Sequence, residues 1–141
     1  LRHRSAPPRL PSVMGRPDAY SAGTRSAARR WAVAEGETGG ADRAATFVLV
    51  ANTAPAAGSV RVTVATEQGL IRSRTFALAA DARLTVDVAR EFPEVTNARF
   101  GVLVESLGPA FAPIVVEWAM YGSPDGHMWA AGSGAVATPL P

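Results

Sequence analysis

Two carboxylates in the middle of strand-like runs, Glu105 and Glu117, are the residues of this chain best placed by type to break a bond. Glycoside hydrolysis needs a pair of carboxyl groups held at a fixed separation, one acid and one base or nucleophile. Each of the two, however, alternates with apolar neighbours along its run. The expectation is therefore that each faces solvent from a sheet surface, or pairs across strands with an arginine such as Arg61 or Arg99. The two histidines, His3 and His127, stand at opposite ends of the sequence, so no two-histidine metal site fits within one domain. His127 with Asp125 would supply two members of a hydrolytic triad, but no Gly-x-Ser-x-Gly elbow presents a serine, and Gly132-Ser133-Gly134 reads as a turn.

Asp81, Asp87 and Asp125 offer oxygen ligands for calcium without the Asp-x-Asp-x-Asp spacing of a binding loop. The glycine-rich stretch Glu35-Gly-Glu-Thr-Gly-Gly40 lacks the Gly-Lys-Ser/Thr ending of a phosphate loop, and its two glutamates would repel a phosphate; it reads as an inter-strand loop. Cysteine is absent, which excludes a disulfide framework, a thiolate nucleophile and a Cys-ligated metal. The sequence thus predicts no catalytic residue, no cofactor and no metal site. Aromatic residues carry the remaining chemistry. Trp118, Tyr121 and Trp129 fall within twelve residues, and their rings serve either a core or a platform for sugars and extended peptides. Trp118 shares its face with Ile114 and Val116 and is expected inside, whereas Tyr121 and Trp129 flank the turn at 123–126 and are the exposed candidates.

The elements that must position these residues begin after a change of character near Trp31. Residues 1–30 hold seven of the 14 arginines, a single acid (Asp18) and frequent Pro, Ser and Ala, for a net +6. This reads as a flexible basic linker or disordered arm. Residues 31–141 hold the other seven arginines and eleven acids, a net −4. Because the basic charge sits on a segment with neither aromatic spacing nor amphipathic period, nucleic-acid binding is not expected. No apolar signal region follows Leu1-Arg2-His3-Arg4, and the chain reads as a piece of a longer product. Its apolar runs are too short to span a bilayer as a helix, so no membrane insertion is expected.

From Trp31 onward, short β-branched and aromatic runs alternate with Gly, Pro, Asn and Asp clusters, the pattern of an antiparallel β-sandwich. About eight strands are predicted: 31–35, 46–52, 59–66, 71–78, 83–88, 99–106, 114–121 and 128–132. Val60, Val62 and Val64 share one face opposite Arg61, Thr63 and Ala65, and Leu84, Val86 and Val88 oppose Arg83, Thr85 and Asp87. The run from Ile114 is apolar on both faces, as a central strand would be. Residues 89–94 are too short and polar for a strand and read as one helical turn with Phe92 tucked beneath. A weak echo links Trp31-Ala-Val-Ala-Glu-Gly to Trp129-Ala-Ala-Gly, as if edge strands at the two ends met neighbouring units alike.

The succession of Ala34-Glu35-Gly36, Val50-Ala51-Asn52 and Pro113-Ile-Val-Val-Glu-Trp-Ala-Met-Tyr121 resembles a bacterial β-sandwich repeat domain of secreted or surface-anchored proteins, found beside immunoglobulin-like modules. The resemblance covers about residues 31–141; the usual form of the last block has Arg where this chain has Trp118. It implies an immunoglobulin-like, non-enzymatic structural or adhesive spacer in a larger extracellular or cell-surface protein. Its partners would be neighbouring modules of the same polypeptide, and cell-wall glycan or another surface protein. Trp31, Tyr121 and Trp129 are the expected ligand or module contacts. The alternative is a carbohydrate- or peptide-binding module using Tyr121 and Trp129.

Overall fold

The computed structural model describes residues 27–108, 113–123 and 131–141. Among them are strands β1 (Arg30–Thr38), β2 (Ala45–Asn52), β3 (Gly58–Thr66), β4 (Ile71–Leu78) and β5 (Arg83–Asp87), then a helical turn α1 (Val88–Glu91). Strands β6 (Ala98–Gly108), β7 (Ile114–Gly122), β8 (Ala131–Val136) and β9 (Thr138–Leu140) follow. They form a five-stranded sheet in the order β4-β3-β6-β1-β9 and a four-stranded sheet in the order β5-β2-β7-β8. Every pairing is antiparallel. The chain is a β-sandwich, as its alternating pattern predicts.

The core lies between the sheets because period two sends alternate side chains inward. Val60, Val62 and Val64 of β3, Phe100, Val102 and Val104 of β6, and Val48 and Val50 of β2 are all buried. Removing such a side chain from water contributes about 1.5–3 kcal/mol, so this aliphatic layer drives the packing. Strand β7 lies between β2 and β8. It buries Ile114 and Val116 and lays Trp118 partly against the core. The α1 turn is capped by the Asp87 carboxylate, which accepts from the Arg90 N–H at 3.4 Å, and it closes over a buried Phe92.

Three expectations need correction. Glu35 to Thr38 is not loop but the second half of β1, and only the segment between Gly39 and Ala44 turns, with Gly39 and Gly40 in the left-handed region. The eighth strand runs Ala131–Val136, later than expected, while 128–130 lie outside the described residues, as do residues 1–26. A short β9 follows and pairs beside β1, so β1 is an inner strand from Arg30 to Ala32. Pairing begins upstream of Trp31: Ala28 bridges Ile114 of the four-stranded sheet, and the Arg29 carbonyl accepts from the Ser106 N–H of the five-stranded one.

Candidate functional site

Sheet topology separates the two carboxylates that could have formed a catalytic pair. Glu105 belongs to β6 of the five-stranded sheet and Glu117 to β7 of the four-stranded sheet. The flanking side chains Val104 and Ser106, and Val116, are buried between the sheets. Each carboxylate therefore leaves the sandwich on its own outer face, with the core between them. Glu105 stands in register with Arg30 on one side and Arg61 on the other. Its Oε1 lies 3.1 Å from the Arg61 guanidinium and its Oε2 lies 3.6 Å from that of Arg30. Glu117 sits opposite Leu49 and Val136.

Trp31, expected at a module contact, is fully buried at 0% exposure. Its indole N–H donates to the Ile114 carbonyl at 2.9 Å and to that of Ala28 at 3.1 Å, so the ring pins the five-stranded sheet to the four-stranded one. Its parity with Val33 is inward, and its side chain is out of reach of any neighbour. Tyr121 is half-buried on the outer side of the four-stranded sheet, edge-on to Phe47 with ring centroids 5.9 Å apart. Trp129, His127 and Asp125 lie outside the described residues. No three His, Asp or Glu side chains converge on a common point among the described residues. Nor is any helix among them long and apolar enough to cross a membrane.

The motifs that look distinctive in the sequence have local mechanical roles. Ala34 and Glu35 form a β-bulge, two residues facing the single Gly101 between the pairs Val33↔Val102 and Gly36↔Phe100. Gly36 is required because any Cβ there would overlap the Phe100 ring. Just beyond the bulge, the Thr46 hydroxyl of β2 accepts from the Glu37 N–H at 3.0 Å and donates to the Glu37 carbonyl at 2.8 Å. One side chain thus satisfies both backbone groups on the side of β1 that β9 does not reach. Asn52, buried at the end of β2, donates to the Ala56 and Ala79 carbonyls and accepts from the Ala54 N–H, tying two loops together.

Beside the bulge is an open depression of about 480 Å³, lined by Glu35, Glu37, Glu67, Arg99, Phe100 and Met120 among others. Its lining combines three carboxylates with a single arginine and is open to solvent. Strand β4 falls where the sequence predicts it; what sequence reasoning passed over is that it forms an exposed edge of the five-stranded sheet. Arg72 and Arg74 share a face with Phe76 and Leu78 and are in register with Val64 and Val62. The alternation in Ile71-Arg-Ser-Arg-Thr-Phe-Ala-Leu78 already carries that signal.

No family model matches the chain, and no curated protein matches it. Among solved structures, the chain is similar to the crystal structure of Thermotoga maritima 1070, with TM-score 0.68 at 13% identity over 82% of this chain and 97% of that one. It is also similar to the Anabaena sensory rhodopsin transducer, with TM-score 0.53 at 18% identity over 66% of this chain and 82% of that one. Likeness at these identities concerns the fold alone.

Proposed function

We propose that this chain is a non-catalytic structural and adhesive module, immunoglobulin-like in build, of a larger exported or cell-surface bacterial protein. The observation that carries the reading is the fate of the candidate chemistry: Glu105 is held between Arg30 and Arg61, and Glu117 is on the far side of the core. The distinctive residues Trp31, Gly36 and Asn52 are occupied in holding the sandwich together. A second observation supports a module that hangs from its parent. Arg30 at the start of β1 is in register with Leu140 at the end of β9, so the first and last strands lie side by side in the sheet. Neighbouring modules would attach beside these strands, and the rest of the surface would project from the main-chain path.

The runner-up reading is a carbohydrate- or peptide-binding module. Its support is the half-buried Tyr121, edge-on to Phe47 on an outer face. The two readings separate on an array of glycans and cell-wall polysaccharides probed with the intact chain. A blank array with no hydrolysis product is expected of the structural module. Binding that is lost in Tyr121→Ala and Trp129→Ala would overturn it in favour of the binder.

A further inference from the structure

We infer that the free edge of β4 is a docking edge for an extended acidic peptide, which adds to the five-stranded sheet as a further strand. The inference rests on the adhesive half of the proposed function and names the surface and the partner chemistry.

Four edges exist among the described residues, and three are blunted. Strand β9 has three residues, one of them Pro139; β5 has five residues and runs straight into α1; β8 has six, of which Gly132 and Gly134 are glycine. Short strands, proline and glycine all weaken an edge as a template for another chain. Strand β4 has eight residues, no Pro, no Gly, and an unbroken register with β3 from Ile71 to Leu78. Alternate residues along it turn N–H and C=O away from β3, where an added strand would meet them. The strand is exposed along most of its length, and Ile71 at 62% is the most exposed large apolar side chain among the described residues.

Position favours the same edge. In the five-stranded sheet β4 is at the opposite margin from the short strand β9, four strand spacings or roughly 19 Å away.

Charge selects the partner. Residues 31–141 carry net −4, yet β4 carries two arginines and no acid. Arg74 is engaged by Glu91 at 2.7 Å and lies over the Phe76 ring at 5.7 Å. Arg72 has no acidic partner among the described residues; its guanidinium donates to the carbonyl of Ile71. A second copy of the strand is disfavoured, because antiparallel self-pairing would set the arginines of the two copies opposite or diagonal to each other. An incoming strand with acids at alternate positions would instead meet Arg72 directly and, on the same side of the sheet, Arg74, which Glu91 already engages.

The test uses the intact chain and an eight-residue peptide with Glu at two alternate positions among Val and Thr. Fluorescence anisotropy measures binding, and amide exchange locates it. Saturable binding with slowed exchange in alternate amides of 71–78 is expected, weakened roughly fivefold by Arg72→Glu. Loss of binding when Pro replaces the central residues of the peptide is also expected, since proline cannot donate to the ladder. The inference is overturned if the peptide does not bind, if its Lys counterpart or the Pro peptide binds equally, or if protection falls outside β4. Self-association of the chain alone with β4 protected would overturn it as well. Because the readout is at β4 amides, its failure is distinct from a glycan bound at Tyr121.

Discussion

The two margins of the five-stranded sheet are built on different principles. At the β1 margin the backbone is covered or satisfied from within: β9 pairs with Arg30 to Ala32, a bulge bends the strand, and Thr46 reaches across to bond Glu37 twice. At the β4 margin the strand is straight, regular and outward-facing, and it carries arginines at positions that would otherwise be apolar. The chain has concentrated its unusual residues where it must pass from one sheet to the other. The margin left plain is the one with spare hydrogen-bonding capacity. This contrast separates residues that hold the fold from residues that remain available to a partner.

Breaking the closed margin should cost most at Trp31. Trp31→Ala removes a fully buried ring and leaves the Ile114 carbonyl without its indole donor. A loss of about 3–5 kcal/mol is expected in urea unfolding, a large share of what a domain of this size has to lose. Trp31→Phe keeps much of the volume and should lose less; an equal loss in both variants would put the weight on the hydrogen bond instead of the packing.

The bulge is the next target. In Gly36→Ala the new methyl group would overlap the ring of Phe100, which is itself buried and has little room to yield. A destabilisation of about 1–3 kcal/mol is expected from overpacking. Pairing it with Phe100→Leu should recover part of that loss, and a double-mutant cycle measures the coupling. Additive effects would mean that the glycine is needed for backbone reasons instead of for the ring.

Asn52→Ala tests the far end of the same design. Its amide satisfies three backbone groups in two loops, and removing it strands the carbonyls of Ala56 and Ala79 and the N–H of Ala54. A cost of about 1–3 kcal/mol is expected. The accompanying signature is faster amide exchange at Ala54, with exchange at β4 unchanged.

These residues also mark where the sequence was legible and where it was not. Strands β3 and β4 could be read almost to the residue: in β3 Val60, Val62 and Val64 alternate strictly with Arg61, Thr63 and Ala65, and β4 is bounded by the turn signals at Gly69 and Asp81. The second half of β1 was lost because the bulge shifts the inward parity: Trp31 and Val33 point in at odd numbers, Gly36 and Thr38 at even ones. A pattern of period two breaks there, and the glycines that follow look like loop. Strand β9 is too short and contains Pro139, both of which argue against a strand unless its partner is known. The pairing of Glu105 with Arg61 was readable because both sit at outward positions of strong strands. Its second partner, Arg30, fell within what read as linker. Trp31 reads as a module contact through its likeness to Trp129, whereas its parity with Val33 is inward, and composition cannot supply its bond to Ile114, 83 residues away.

The smallest effect should be at Glu105 itself. Its two arginine partners are about half exposed, so solvent screens both ion pairs, and the geometry is a surface rung across β3, β6 and β1. Glu105→Gln keeps the size and one acceptor oxygen while removing the charge, and it should change unfolding free energy by less than about 1 kcal/mol, with the difference shrinking further in high salt. Glu105→Lys would set three cations in one row of the sheet, Arg61, residue 105 and Arg30, and should cost more than the neutral variant because like charges face each other directly across strands. If the neutral variant were as damaging as Trp31→Ala, the rung would belong with the residues that hold the fold, and the division between an internally bound margin and an available one would not survive.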